Sequence, residues 1–248
     1  MFALPSMFTL GCLFFGFFGI VQAMNLRFDY ASICIFVAMV LDSLDGRVAR
    51  MTKTQTAFGA ELDSLADMVS FGAAPALIVY EWSLSSLPSP RIALAAAFIY
   101  AACAALRLAR FNVQIDIVDK RFFNGLPSPA AAAVVAGFVL LMDDLGMEGI
   151  DVAWWAFALT LVAGISMVTT AQFFSFKAMS RRAISFTALA MFAVGFGFVL
   201  VDPPKVIFAV CVSYLVSGYV VWLWQAIKRP ALSAADAAAA TGTGPPAP

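Results

Sequence analysis

Histidine is absent from all 248 residues. That excludes a Ser-His-Asp triad, a histidine general acid or base and a histidine-ligated metal, and leaves proton transfer to carboxylates or, less readily, to Lys, Tyr or Cys. Charge is scarce too: Asp, Glu, Lys and Arg make up 12% of the chain and cancel to a formal net charge of zero, so the total charge points to no partner. The four cysteines, Cys12, Cys34, Cys103 and Cys211, stand far apart, each inside an apolar run. They have neither zinc-ligand spacing nor the pattern of a disulfide framework and read as packing residues. What fills the chain instead is apolar: 62% hydrophobic residues and a mean hydropathy of +0.92 belong to a polytopic membrane protein.

Eight apolar runs can be marked, at about Pro5–Met24, Tyr30–Leu44, Phe58–Tyr80, Ile92–Leu108, Ser128–Met142, Val152–Ala171, Ala183–Val201 and Val206–Ile227. The expected fold is therefore all-α: an integral membrane helical bundle of about eight transmembrane helices. The second and fifth runs are shorter than the ~20 residues that cross a bilayer, so their helices should continue into polar flanks. No basic residue precedes the first run and no small-residue cleavage site follows it, so it reads as a retained span rather than a signal peptide.

Twelve of the fifteen basic residues lie after runs two, four, six and eight: Arg47, Arg50, Lys53, Arg107, Arg110, Lys120, Arg121, Lys177, Arg181, Arg182, Lys228 and Arg229. Arg27, Arg91 and Lys205 fall on the other side, together with the acidic connection holding Asp143, Asp144, Glu148 and Asp151. The positive-inside tendency then puts both termini in the cytoplasm. Trp154, Trp155, Trp222 and Trp224, near run ends, read as interfacial anchors, and Arg181, Arg182, Lys228 and Arg229 as anchors to anionic headgroups. Residues 1–230 form one expected membrane domain; 231–248, rich in Ala, Thr, Gly and Pro, form an expected disordered tail.

Against this apolar background one stretch concentrates charge: Asp42-Ser43-Leu44-Asp45-Gly46-Arg47-Val48-Ala49-Arg50, then eight residues, then Gly59-Ala60-Glu61-Leu62-Asp63-Ser64-Leu65-Ala66-Asp67. Ionised groups are costly at the membrane, so four aspartates kept together mark a site. On a helix Asp42, Asp45 and Ala49 form one stripe, and Gly59, Asp63 and Asp67 another. The short connection from Met51 to Ala57 makes the two helices antiparallel neighbours whose stripes face each other. Four carboxylates with no nitrogen ligand form a hard-oxygen site suited to Mg²⁺ or Mn²⁺, with room for two ions, a recurring arrangement in phosphoryl transfer. Gly46, Ala49 and Gly59 leave the acidic face open to a flat ligand, or else allow close helix packing. Arg50 is placed to pair with an aspartate or a phosphate.

This spacing resembles the signature of the CDP-alcohol phosphatidyltransferases, with every fixed position of Asp-x2-Asp-Gly-x2-Ala-Arg-x8-Gly-x3-Asp-x3-Asp matched. The resemblance implies that a CDP-linked lipid binds with its diphosphate on metal, near Asp45, Gly46, Ala49, Arg50 and Gly59. It implies that Asp42, Asp45 and Asp63 hold metal, and that Asp67 both contacts metal and deprotonates the acceptor alcohol as CMP leaves. Further segments resemble the membrane-integral phosphatidylserine synthase branch: residues 4–11, 61–72 and 109–113, Phe123-Asn124-Gly125-Leu126-Pro127-Ser128-Pro129-Ala130, and Phe174-Ser175-Phe176-Lys177. One position departs from it, Cys12, where that branch commonly has asparagine.

The partners so implied are CDP-diacylglycerol, L-serine and membrane lipid, with no nucleic acid, and the family suggests a homodimer. The implied location is a bacterial inner membrane with the site facing the cytoplasm. Arg107, Arg110, Asn112, Lys120, Arg121 and Lys177 are the candidate donors to the serine carboxylate and to phosphate, Arg110 and Asn112 foremost, because they lie two apart at a helix end. The same chemistry on glycerol phosphate or inositol phosphate remains an alternative, as does a cation transporter. The phospholipase-D-like serine transferases need histidine and are excluded.

Overall fold

A computed structural model describes residues 3–52, 56–114, 122–169, 172–174 and 201–240. Their regular elements are helices, but for one three-residue antiparallel pair. α1 (Ala3–Met24) and α2 (Phe28–Thr52) form a hairpin through a tight turn. α3 (Ala57–Asp67), a π turn (Met68–Ala73) and α4 (Ala74–Trp82) run on as one rod. α5 (Pro90–Gln114), α6 (Ser128–Asp144), α7 (Ala153–Val168) and α8 (Pro203–Ala240) follow. The small pair, β1 (Phe122–Asn124) and β2 (Gln172–Phe174), joins the segments after α5 and α7, with Phe123 opposite Phe173.

Among the described residues four stretches are long and apolar enough to cross a membrane: Ser6–Met24, Ala57–Trp82, Pro90–Val113 and Pro203–Val220. The expected second, fifth and sixth runs are the helices α2, α6 and α7. α2 does continue into the polar flank, as its short apolar run requires, and so carries Asp42, Asp45, Arg47 and Arg50 within one helix. α6 extends only to Asp144. The expected run Ala183–Val201 lies outside the described residues except for Val201. At the other end α8 continues through Ala240, past residue 230, where the membrane domain was expected to close. Alanine has the highest helix propensity, and the run from Ala234 is rich in it. Residues 241–248 lie outside the described residues.

The core is built on small side chains, which let helices approach without a deep apolar interior. α6 is its axis: every residue from Ala131 to Val139 is buried, between α2, α4, α7 and α8. A Cβ on Gly164 of α7 would lie 3.0 Å from Tyr100 Cα, so glycine there sets the spacing of α5 and α7. Gly125, in the left-handed region at φ +91°, faces the Met167 carbonyl, and the Leu126 N–H donates to Ser166 O at 2.9 Å. These contacts pin the entry to α6 against the end of α7. Outward, α1, α5 and α8 present Leu10, Phe14, Phe17, Leu94, Phe98, Val210 and Val220, all exposed, as a lipid-facing surface does.

Candidate metal and diphosphate site

α3 begins with a capped first turn: the Thr56 hydroxyl accepts from the Gly59 N–H at 3.0 Å. Eleven residues of helix then bring Asp63 and Asp67 onto one face, one turn apart. α2 packs against the rod at the π turn and α4, while α3 rests mainly on α1. The antiparallel neighbours expected from the short connection therefore meet at their carboxylates rather than along a packed seam. One oxygen each from Asp42, Asp63 and Asp67 lies within 4.8 Å of the other two.

Asp45 is placed differently. It is buried, 6% exposed, and accepts a 2.8 Å hydrogen bond from the Thr9 hydroxyl of α1. It remains within electrostatic reach of Asp42, Asp63 and Asp67, but the three-carboxylate convergence does not include it. Thr9, within the segment that resembles the branch, has a role no spacing argument revealed: its partner is 36 residues away.

The convergence suits a hard divalent cation. The three converging groups are carboxylate oxygens, and like charges this close need a counter-charge. Asp67 Oδ1 is buried with no hydrogen-bond partner among the described residues, a costly state for a carboxylate oxygen unless a ligand completes it. Among the described residues Arg107 is the cation in electrostatic contact with Asp67; it is held by a 2.6 Å hydrogen bond from its Nη1 to the Ser128 hydroxyl at the start of α6, and Tyr214 of α8 also faces it.

Gly46 and Gly59 have separate explanations. Among the described residues a Cβ on Gly46 would meet nothing nearer than Arg50 Nη2 at 4.0 Å, so no packing seen there demands glycine. A Cβ on Gly59 would come within 3.1 Å of the capping Thr56 hydroxyl, so its glycine serves the helix start. Ala49 lies in α2 between them in sequence, and Arg47 and Arg50 are exposed on the same helix end.

Asn112, near the end of α5, bonds Ser64 beside Asp63, its Nδ2 donating at 3.0 Å. That joins the expected acceptor side to the aspartate helix. Arg110 is half-buried one turn from Arg107. Lys53, Lys120, Arg121, Lys177, Arg181 and Arg182 lie outside the described residues. Cys12, at the position that departs from the branch pattern, is 1% exposed, within electrostatic reach of Asp42, Asp67 and Asp45, so the substitution falls at the floor of the site.

Comparison with known proteins agrees with this geometry. Residues 2–166, which include all four aspartates and α1 to α6, match the CDP-alcohol phosphatidyltransferase family. A Helicobacter pylori (strain ATCC 700392 / 26695) protein named CDP-diacylglycerol–serine O-phosphatidyltransferase is 33% identical over 224 residues, covering 90% of this chain and 92% of the relative. Proteins of the same name are 34% identical in Mycobacterium leprae (86% of this chain, 72% of the relative) and 34% identical in Methanocaldococcus jannaschii (76% and 82%). The chain belongs to the CDP-alcohol phosphatidyltransferase family.

Proposed function

We infer that this protein transfers the phosphatidyl group of CDP-diacylglycerol to L-serine, giving phosphatidylserine and CMP. The observation that carries the reading is the meeting of Asp42, Asp63 and Asp67 beside an unpartnered Asp67 oxygen and an open Gly46. The names of the relatives support serine as the acceptor.

Asp42, Asp63 and Asp67 would hold Mg²⁺ or Mn²⁺, as one ion or a pair, with Asp45 joining them if it leaves Thr9. A bound divalent cation supplies charge that offsets the diphosphate and lowers the proton affinity of a coordinated hydroxyl. Gly46 lets the flat cytidine diphosphate lie against α2, with Ala49, Arg50 and Gly59 at its edge. The serine hydroxyl oxygen forms a bond to the phosphorus that bears the diacylglycerol. The bond from that phosphorus to the bridging diphosphate oxygen breaks, and its electron pair leaves on CMP. With no histidine in the chain, Asp67 takes the hydroxyl proton. Arg107, fixed by Ser128, offsets the charge on Asp67, while Arg110 and Asn112 offer donors to the serine carboxylate, with Lys120, Arg121 and Lys177 as further candidates.

The basic-residue asymmetry supports eight spans, both termini inside and a cytoplasmic active site; the family resemblance supports a homodimer in a bacterial inner membrane, with residues 1–230 as its membrane domain. CMP release by purified protein with Mn²⁺, CDP-diacylglycerol and a panel of acceptors tests the reading. Release with serine above all others is expected. Release only with glycerol phosphate or inositol phosphate would replace the acceptor, and none with any alcohol would end the reading.

A further inference from the structure

A proline inside a helix removes the amide donor from the carbonyl four residues earlier and presses its ring against that oxygen. In the rod that carries Asp63 and Asp67 the proline is Pro75, and the carbonyl is that of Phe71. The backbone widens there. Met68–Ala73 forms a π turn starting at the residue after Asp67, and the Ala74 N–H reaches back to Val69 O. Such turns are rare and occur preferentially at functional sites.

Contacts with two neighbouring helices grip the turn. Tyr100 of α5, fully buried, donates its hydroxyl to Phe71 O at 3.1 Å. Ser70, also fully buried, donates to the Cys12 carbonyl of α1 at 3.0 Å. Glycine seats both contacts. A Cβ on Gly16 would fall 2.7 Å from Ser70 Cα, and the Gly164 approach described above brings α7 against Tyr100. The Tyr100 hydroxyl thus supplies the donor that Pro75 takes away, at the carbonyl four residues beyond Asp67.

We propose that Tyr100 is a positioning residue for the carboxylate site. Through the Phe71 carbonyl it holds the π turn open and so sets the direction in which Asp67, and Asp63 one turn before it, face Asp42. The proposal rests on the reading of these aspartates as a divalent-cation site. Removing the hydroxyl leaves a buried carbonyl short of a donor, the turn relaxes, and the three oxygens no longer converge.

The test uses the full chain in detergent, titrated with Mn²⁺, with bound Mn²⁺ read by electron paramagnetic resonance and CMP release read separately. Tyr100→Phe is expected to raise the Mn²⁺ midpoint about fivefold, the equivalent of one lost hydrogen bond. It should also lower kcat with little change in KM for CDP-diacylglycerol. Ser70→Ala, which loosens the other side of the turn and leaves Tyr100 intact, should shift the midpoint the same way and serves if Tyr100→Phe does not fold. Thr160→Val removes a buried hydroxyl that bonds Ala156 O within α7 at 2.7 Å; it should lower the unfolding temperature and leave the midpoint alone. Wild-type midpoints in both turn variants, or an equal shift in Thr160→Val, overturn the proposal. Wild-type protein that binds no Mn²⁺ overturns it together with the reading it rests on, whereas binding without a shift overturns the proposal alone.

Discussion

Replacing Asp67 with asparagine separates the electrostatic cost of the carboxylate cluster from its use. The three oxygens lie within 4.8 Å of one another. At that distance and an effective dielectric near 20, two ionised carboxylates repel by about 3.5 kcal/mol, and Asp67 takes part in two such pairs. The groups are half-buried, so water and salt remove most of this repulsion. A net gain of about 1 kcal/mol is expected when one charge is deleted without change of shape, equal to a rise of about 2–4 °C in Tm for a chain of this size. Thermal unfolding in detergent with a chelator, at a pH high enough to ionise all three carboxylates, should therefore find Asp67→Asn more stable than wild type. Saturating Mn²⁺ should reverse the order. A site filled to 100 times its Kd gains about 2.7 kcal/mol, and the variant, with a weakened ligand set, gains less. CMP release should fall by about 10²–10⁴, as for loss of a general base. A variant that melts below wild type in chelator, or that gains as much from Mn²⁺, would refute the reasoning.

Gly46→Ala should stabilise α2 by about 0.5–1 kcal/mol, because alanine favours helix and, among the described residues, its Cβ meets nothing nearer than Arg50 Nη2 at 4.0 Å. Activity should nonetheless fall, seen as a raised KM for CDP-diacylglycerol; unchanged kinetics would remove Gly46 from the ligand face. Thr9→Val should cost about 1.5–3 kcal/mol in reversible unfolding, since a buried carboxylate loses a 2.8 Å donor. Combined with Asp45→Ala the two effects should be strongly non-additive, and simple additivity would show the bond to be idle.

The positions of the aspartates were legible because the chemistry demands fixed spacing on two helices, and spacing is written in the chain. The basic cluster was legible as a group but not in its division of labour. Arg107 turns inward to Ser128 and Asp67, and Asn112 to Ser64, because partners 21 and 48 residues away happen to stand there. Asp45 shows the limit most plainly: it shares the helical stripe of Asp42, yet a threonine on α1 holds it. The π turn had a local sign in Pro75, but a proline predicts a disturbed helix, not which tyrosine repairs it. The β1–β2 pair had no sign at all, since strands this short carry no alternation to read.

The burial of α6 bears on how the protein sits in bilayers of different thickness. Its 17 residues rise about 26 Å, less than the usual hydrocarbon depth. A helix of that length facing lipid would have to thin the membrane around it, but protein surrounds α6 along its buried stretch. Mismatch therefore falls first on α8, since α1 and α5 are tied to the π turn through the Cys12 carbonyl and the Tyr100 hydroxyl. The rod with Asp63 and Asp67 and the helix with Asp42 are both packed on α6, so the reacting centre is referenced to protein rather than to lipid. Host membranes can change thickness without changing the distance between the carboxylates.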